Sequence, residues 1–272
     1  LNRDWVWQTQ KETQQRLKFY RSWMPMMHAD FHEQSFQHSY YFPPAAKPYL
    51  NFIAQSTKDL QESVGRSFSK LFDEKKWPYF TSEVYDLLYP GYGDTYPVLN
   101  GALGMTLEQG GIRGGLISAK SDGDTISLVE RVKHHSALAL NLVEWSLANS
   151  DNLKASFYGV HDKSRTSPTN KFAYYFVPAN EMDKGHEFKQ LLFKNNISFT
   201  YADVVKSIPA YEYTTMKQIA LPLSKNGLLI SAKQPSAPLI QALMDPVIAL
   251  EDSLTYDITA WNLFQLNGLK AY

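Results

Sequence analysis

The sequence predicts an α/β protein in which helices cover mixed sheets, and three observations support this. Residues 9–23 carry Leu17, Tyr20 and Trp23 at helical spacing among charged residues. Residues 26–33 alternate between apolar and polar side chains, which is typical of a strand with one packed face. The second half of the chain alternates strand-like with helix-like stretches, as expected for a layered α/β architecture.

The composition excludes several classes of function. The 272 residues include 27 Lys and Arg against 27 Asp and Glu, so the formal net charge is zero. A neutral protein lacks the cationic surface that phosphate binding needs, which argues against a nucleic-acid partner. The absence of cysteine excludes disulfides, cysteine-ligated metals and a thiol nucleophile. No stretch approaches the ~18 apolar residues of a membrane span, so no membrane partner is expected.

The first half of the chain contains elements of both kinds. Pro25 ends the first helix because proline disrupts helical hydrogen bonding. The following elements are predicted in order: a strand at 26–33, a loop at 40–48, a helix at 48–72, a loop at 89–97, a strand at 101–109, a turn at 110–115 and a helix from about 125.

The helix from about 125 has a clear start signal, because Ser127 and Glu130 have the spacing of a capping box. Its buried stripe is expected at the helically spaced positions Leu128, Val132, His135, Ala139, Leu142 and Trp145. A polar stretch at 148–152 follows. We interpret it as the boundary between a domain of residues 1–150 and a second, smaller α/β domain of residues 151–272.

The second domain is predicted to alternate strands with helices. The strands are expected at 155–160, 172–178, 197–203, 217–224 and 227–232, and the helices at 186–196 and 236–245. The last two strands are expected to form a pair joined by a turn at Lys225, Asn226 and Gly227.

His28 and His32 are the first candidate metal ligands. On a helix, two histidines four residues apart share a face and bind one ion. On a strand they lie ~13 Å apart, at ~3.3 Å per residue, so at most one is a ligand. His32, at the end of the strand and beside Glu33, is the better candidate. The alternative is a structural, hydrogen-bonded histidine.

Glu108 is the candidate general base, because it ends an apolar strand where desolvation would raise its pKa. The alternative is an acid that simply reaches water. No His-Glu-x-x-His motif accompanies these residues. Residues 110–115, "GGIRGG", lack the Lys-Ser/Thr ending of a phosphate-binding loop and are interpreted as a turn.

Four stretches, in this order, resemble the zinc carboxypeptidases of the carboxypeptidase A-like type. They are "LNRDW" (1–5), "MMHADFHEQ" (26–34), "YPGYGDTYP" (89–97) and "GMTLEQGG" (104–111). The resemblance extends over residues 1 to about 148 and is strongest to large bacterial members of the Bacteroidetes type. It implies that the first domain is the C-terminal part of a carboxypeptidase-like mixed sheet with helices.

The resemblance also implies a role for each motif. Asn2 and Arg3 would clamp the terminal carboxylate of a peptide substrate, His32 would be the third zinc ligand, and Glu108 would be the catalytic base. Zinc would polarise the scissile carbonyl and acidify the attacking water. A mobile tyrosine would cap the substrate, with three candidates of which the first named is favoured: Tyr89, Tyr85 and Tyr92.

The sequence departs from the family pattern at its start. In the family, the first two zinc ligands form a His-x-x-Glu motif upstream of the Asn-Arg pair, together with an arginine that stabilises the oxyanion. Here the pair is at residues 2–3. We therefore expect a portion of a longer metallocarboxypeptidase, inactive alone, whose partner is the missing upstream segment, either removed or present as a separate chain.

The second half has its own resemblance. "QPSAPLIQALMDP" (234–246) and "YDITAWNLFQLNGLKAY" (256–272) resemble the tail of those bacterial peptidases, where an appended domain is similar to class I glutamine amidotransferases. That chemistry needs a cysteine, and this chain has none, so a non-catalytic structural or substrate-positioning domain is implied. A secreted or periplasmic location is implied as well.

Two other functions remain open. One is a non-catalytic peptide- or glycan-binding module that has kept the groove and lost the metal. The other is an unrelated two-domain α/β protein with coincidental motifs, which predicts that His32 and Glu108 lie far apart.

Overall fold

The computed structural model describes residues 1–166, 171–203, 206–250, 252, 254–257 and 259–272. Within these ranges the helices are α1 (Lys11–Trp23), α2 (Gln55–Lys75), α3 (Thr95–Leu99), α4 (Leu128–Ala148), α5 (Ser150–Thr166), α6 (His186–Lys194), α7 (Ala237–Met244) and α8 (Leu263–Leu266). The strands are β1 (Met27–Ser35), β2 (Tyr40–Tyr41), β3 (Ala46–Tyr49), β4 (Tyr79–Phe80), β5 (Asp86–Leu87), β6 (Leu103–Gly111), β7 (Ser118–Ala119), β8 (Thr125–Ile126), β9 (Tyr174–Val177), β10 (Thr200–Tyr201), β11 (Ser207–Glu212), β12 (Lys217–Pro222) and β13 (Leu228–Ser231). The predicted α/β class is confirmed. No helix in the described ranges is both long and apolar enough to cross a membrane.

A four-stranded mixed sheet forms the centre of the first half, with strand order β1-β6-β2-β4. Strands β1 and β6 are parallel and pair over nine residues, from Met27 opposite Leu103 to Ser35 opposite Gly111. Strand β2 is antiparallel to β6 and parallel to β4. Because β1 and β6 run in the same direction, their carboxyl ends meet at one edge of the sheet.

Alternation along β6 separates the packed face of this sheet from the face that carries Thr106 and Glu108. One face joins a cluster with side chains of α2, α4 and β2, and its members include Tyr40, Phe42, Val64, Phe68, Phe72, Leu103, Met105, Leu107, Leu138 and Leu142. Successive side chains on a strand point to opposite faces. Thr106 and Glu108 therefore lie on the face away from these helices.

A second assembly lies in the other half of the chain. Strand β13 is antiparallel to both β9 and β10. Buried residues of α6, α7 and α8 join one cluster with this sheet, and that cluster also contains Trp5, Leu17 and Tyr96. Residues on both sides of the predicted boundary at 150 therefore share one hydrophobic core.

A buried side chain joins the same two regions by hydrogen bonds. Asn195 follows α6 and is 1% exposed. Its amide nitrogen donates to the carbonyl of Val6 over 3.0 Å, and its oxygen accepts from the hydroxyl of Tyr96 over 3.1 Å. The end of α6 is thus attached to the N-terminal segment and to α3.

Several element predictions are wrong in detail. The helix expected at 48–72 begins at Gln55. Residues 155–160 are not a strand but lie within α5, where Leu153 and Phe157 bury one helical face. The aromatic and β-branched residues of this stretch favoured a strand, but the four-residue spacing of its buried side chains is helical.

The pairing expected between strands 217–224 and 227–232 is also wrong. Strand β12 pairs with β11, whereas β13 pairs with β9 and β10. Leu221 and Leu223 pack instead against Phe176 in a small separate cluster. The turn chemistry at 225–227 therefore joins strands of two different sheets.

The capping box of α4 is confirmed, and the buried stripe is shifted. Ser127 accepts from the backbone of Glu130, whose carboxylate accepts from the backbone of Ser127. Leu128 and Val132 are exposed, and the buried positions are Arg131, Leu138, Leu142 and Trp145. On this face Arg131 reaches Glu33 on β1, with nitrogen-to-oxygen distances of 2.6 and 2.8 Å.

Candidate functional site

The parallel pairing of β1 and β6 brings the two central candidates together. His32 is the register partner of Glu108. Register partners on adjacent strands lie about 5 Å apart and point to the same face. Asp30, two residues before His32, points to that face as well. The prediction of separated residues, made by the unrelated two-domain alternative, is therefore wrong.

A cavity of about 200 Å³ opens on this face. Its lining combines the N-terminal segment, the ends of both strands, the loop before α3 and one residue from the second half: Asn2, Arg3, His32, Tyr85, Asp86, Tyr92, Asp94, Thr106, Glu108 and Tyr256. Asn2, Arg3, His32 and Glu108 come from three separate sequence motifs. The fold brings all four to one cavity.

Two polar atoms in this cavity are buried without a hydrogen bond. Glu108 Oε2 and His32 Nε2 have no hydrogen-bond partner among the described protein atoms. His32 Nε2 lies 3.0 Å from Asp30 Oδ2, close enough for an ion pair but not aligned as a hydrogen bond. Buried polar groups are rarely left unpaired, so these two atoms mark where a ligand or substrate group is expected.

The electrostatics of the cavity favour proton transfer near neutral pH. Burial raises the pKa of Glu108 to about 7, an effect that His32 opposes and that Asp30 and Asp94 reinforce. The contact with Asp30 raises the pKa of His32 against the opposing effect of burial. A carboxyl group with a pKa near the working pH is suited to accept and return a proton.

Asp94, in the cavity lining, links strand β6 to the start of α3. Its carboxylate caps α3 by accepting from the amide of Thr95 over 2.6 Å, and it accepts from the hydroxyl of Thr106 over 2.7 Å. Thr106 precedes Glu108 by two residues on the same face of β6. A β-carbon on Gly104 would lie 2.1 Å from the carbonyl oxygen of Asp94, so the close approach of the two segments requires glycine there.

The loop between Tyr89 and Asp94 forms one wall of the cavity. Asn2 fixes this loop, because its side-chain oxygen accepts from the amide of Gly93 over 2.8 Å. A β-carbon on Gly93 would lie 1.9 Å from Asp30 Oδ2, so the loop also presses against β1. Asn2, expected to bind substrate, therefore serves in this structure to position the tyrosine-bearing loop.

The three candidate capping tyrosines occupy different places. The favoured candidate, Tyr89, does not line the cavity: its hydroxyl accepts from Trp7 Nε1 over 2.6 Å and contacts the carbonyl of Arg3 at 3.3 Å. It braces the backbone of Arg3. Tyr85 and Tyr92 line the cavity, and Tyr92 lies beside the guanidinium of Arg3, which is 5.4 Å from its ring centre.

Arg3 reaches an unexpected partner from the far end of the chain. Its Nε donates to Asp257 Oδ2 over 2.8 Å. Asp257, Tyr256 and Asp86 also border the site, and the sequence did not predict them. No local pattern identifies them, because Asp257 is 254 residues from Arg3 and meets it only through the fold.

The residues present supply one candidate zinc ligand and not a complete zinc site. His32 lines the cavity, where its Nε2 lies 3.0 Å from Asp30 Oδ2. Across the described parts of the chain, no group of three or more His, Asp or Glu side chains is arranged to hold a metal ion. A catalytic zinc usually takes three protein ligands and keeps one open position.

Comparisons of the chain with protein-family models, with curated proteins and with solved structures gave no match. The functional interpretation therefore depends on the residues and the geometry of this cavity.

Proposed function

We propose that this chain supplies the general base, the carboxylate-binding arginine and one metal ligand of a zinc-dependent carboxypeptidase. The observation that carries the proposal is the shared lining of one cavity by Arg3, His32 and Glu108. These residues belong to motifs separated by up to 105 positions in the sequence, and each has the chemistry that its role requires.

The substrate is a peptide whose free carboxylate binds at Arg3. A guanidinium offers a planar fork of donors that matches a carboxylate, and it stays charged at every working pH. Tyr92, beside Arg3 on the cavity wall, replaces Tyr89 as the residue that closes over the bound end. The loop that carries Tyr92 is held by Asn2, so Asn2 acts through the position of that loop.

Glu108 acts as the general base and then as the general acid of the reaction. It accepts a proton from the attacking water and returns it to the leaving amine, a cycle that suits its pKa of about 7. The zinc ion, when bound, polarises the scissile carbonyl and lowers the pKa of the water. His32 holds the metal on the same face, opposite Glu108 in the parallel pair.

The remaining zinc ligands come, in this proposal, from polypeptide outside the sequence described here. Calorimetric titration of residues 1–272 with zinc tests this directly. One histidine alone gives weak binding, so we expect no tight, stoichiometric uptake. Tight one-to-one zinc binding by this chain alone would contradict the shared site.

Peptide binding tests the carboxylate clamp independently of the metal. An N-acetylated dipeptide with a free carboxyl end should bind at least about tenfold more tightly than its amide, because a charge-assisted pair is lost in the amide. Arg3→Ala should remove this preference. Arg113→Ala, which changes an exposed arginine in the loop after β6, should leave it intact. Equal affinity for acid and amide in the unmodified chain would contradict the proposal.

The second half acts, in this proposal, as a non-catalytic structural module at the cavity. Tyr256 lines the cavity and Asp257 contacts Arg3, so this half contributes directly to its rim. The amidotransferase-like identity of residues 151–272 and a secreted or periplasmic location are parts of the same proposal. Both follow from the resemblance to bacterial peptidases.

A further inference from the structure

Asp257 engages the arginine that the proposed function assigns to the substrate. Its Oδ2 accepts from Arg3 Nε over 2.8 Å and from the hydroxyl of Tyr92 over 2.6 Å. A single carboxylate oxygen thus receives two hydrogen bonds, from the cation and from the tyrosine of the proposed clamp. A peptide's terminal carboxylate would require the same two donors.

The residues just before Asp257 are anchored at the same rim. The amide of Tyr256 donates to Asp86 Oδ2 over 2.8 Å. The ring of Tyr256 lies 5.1 Å from that of Tyr85 and 6.3 Å from that of Tyr92, both measured between ring centres. We call residues 254–257 the capping segment. Tyr256 and Asp257 of this segment contact Asp86, Tyr85, Tyr92 and Arg3, which all line the cavity.

We propose that the capping segment is an internal competitor of the substrate: Asp257 occupies the carboxylate clamp and has to leave Arg3 before a peptide end can bind. The inference rests on the proposed function and adds a means of regulating it. A second carboxylate brought to Arg3 while Asp257 remains would lie near a like charge, which is unfavourable.

The ion pair between Arg3 and Asp257 is suited to break and re-form. The side chain of Arg3 is 59% exposed and that of Asp257 is 32% exposed. Ion pairs at such exposure are weak, so a ligand of modest affinity is sufficient to displace the acid. Tyr256 also lines a neighbouring cavity of about 820 Å³, bounded by residues 44–47 and 82–84. The displaced segment has space to move into on that side.

A positioning role for Asp257 and a competitor role predict opposite effects of its removal on peptide affinity. If the acid oriented Arg3 for the substrate, its removal would weaken peptide binding. If it competes for Arg3, its removal strengthens binding. The sign of the change in affinity therefore separates the two roles.

The test compares Asp257→Asn with the unmodified chain and with Asp183→Asn, a matched change at an exposed aspartate that lines neither cavity. The probe is the N-acetylated dipeptide with a free carboxyl end, and its amide is the control ligand. We expect Asp257→Asn to bind the acid about three- to tenfold more tightly, as for loss of a partly exposed ion pair and its extra hydrogen bond. Binding of the amide, and both affinities of Asp183→Asn, should not change. Equal or weaker binding of the acid by Asp257→Asn would overturn the inference.

A second measurement reports on the contact between Asp257 and Arg3 without any peptide. Arginine modification by phenylglyoxal, mapped by mass spectrometry, gives the accessibility of Arg3. We expect faster modification of Arg3 in Asp257→Asn than in the unmodified chain or in Asp183→Asn, and an unchanged rate would overturn the competitor role of Asp257. Faster modification with no preference for the acid in any variant would instead reject the carboxylate clamp, and with it the competitor role of Asp257.

Discussion

Glu108 shows how a single carboxyl group is tuned by its place in a sheet. Its position after an apolar run predicts desolvation, and burial does raise its pKa, to about 7. The sequence does not reveal the size of the effect, because Asp30, Asp94 and His32 reach Glu108 only through the parallel pairing and the loop before α3.

The raised pKa of Glu108 predicts a specific dependence of stability on pH. The folded state binds the proton up to about pH 7, whereas the unfolded state releases it near the ordinary glutamate pKa of 4.5. The stabilisation is therefore complete below pH 4.5 and is lost as pH rises towards 7. Relative to Glu108→Gln, the unfolding free energy of the unmodified chain should fall by on the order of 3 kcal/mol across this window.

Urea denaturation at several pH values measures this difference. Glu62→Gln, an exposed change on α2, serves as the control and should follow the unmodified chain at every pH. A constant difference between Glu108→Gln and the unmodified chain from pH 4.5 to 7.5 would contradict the burial of this carboxyl group.

The ion pair between Glu33 and Arg131 gives a second prediction for single residues. The Arg131 side chain is 5% exposed and donates to both carboxylate oxygens of Glu33. Glu33→Gln leaves a buried guanidinium without its counter-charge and should reduce the unfolding free energy by about 1–3 kcal/mol. Glu62→Gln breaks only the surface pair with Arg66 and should cost about 0.5 kcal/mol or less. Equal losses in denaturant titrations of the two variants would refute a structural role for the buried pair.

The elements that were predicted well are those with strong local signals. The strand at β1, the apolar run in β6 and the capping box of α4 all have local physical causes, and the structure contains them. The packed face expected for β1 is incomplete, since Phe31 is 41% exposed whereas His28 and His32 on the other face are partly buried. The errors arise where the outcome depends on distant contacts. The partner of β12 and the inward face of α4 involve contacts with Phe176 and Glu33, which no local pattern can indicate.

Two helical glycines give opposite predictions for the same substitution. A β-carbon on Gly65 in α2 would lie 2.3 Å from the carbonyl oxygen of Pro43, whereas one on Gly159 in α5 would meet no atom within 4 Å. Gly159→Ala should stabilise the protein by about 0.5–1 kcal/mol through helix propensity. Gly65→Ala should destabilise it by about 1–3 kcal/mol through overpacking.

Thermal and urea denaturation of the two alanine variants provide the measurement. Each variant is the control for the other, because both replace glycine in the interior of a helix. A gain in stability from Gly65→Ala would show that α2 does not pack closely on the segment at Pro43.

For the whole molecule, the shared core predicts cooperative unfolding. Trp5 and Tyr96 pack in one cluster with residues of β9, β13 and α7, and Asn195 joins the same regions by hydrogen bonds. Asn195→Leu leaves buried polar groups unpaired and should cost about 2–3 kcal/mol. Tryptophan fluorescence and far-ultraviolet circular dichroism should report one coincident unfolding transition in the unmodified chain and in Asn195→Leu. Two separated transitions would instead support independent domains divided near residue 150.

The candidate site illustrates what a sequence can and cannot indicate. Arg3, His32 and Glu108 were identified from strand ends and from ordered motifs, and the fold brings them to one cavity. Tyr89 is the favoured capping tyrosine by sequence, yet Tyr85 and Tyr92 are the candidates that line the cavity, because only the loop geometry separates these tyrosines. Asp257 was missed because its contact with Arg3 joins opposite ends of the chain.

Hydrolysis of an N-acetylated dipeptide by the polypeptide that the gene encodes, supplied with zinc, tests the central claim most directly. The account predicts release of the C-terminal amino acid from the free acid and not from the amide. Glu108→Gln should lower kcat at least about 100-fold without loss of zinc, as expected for removal of a general base, and Glu62→Gln should have no effect. A zinc-loaded protein that binds the peptide without cleaving it, or a Glu108→Gln variant with full turnover, would contradict the account.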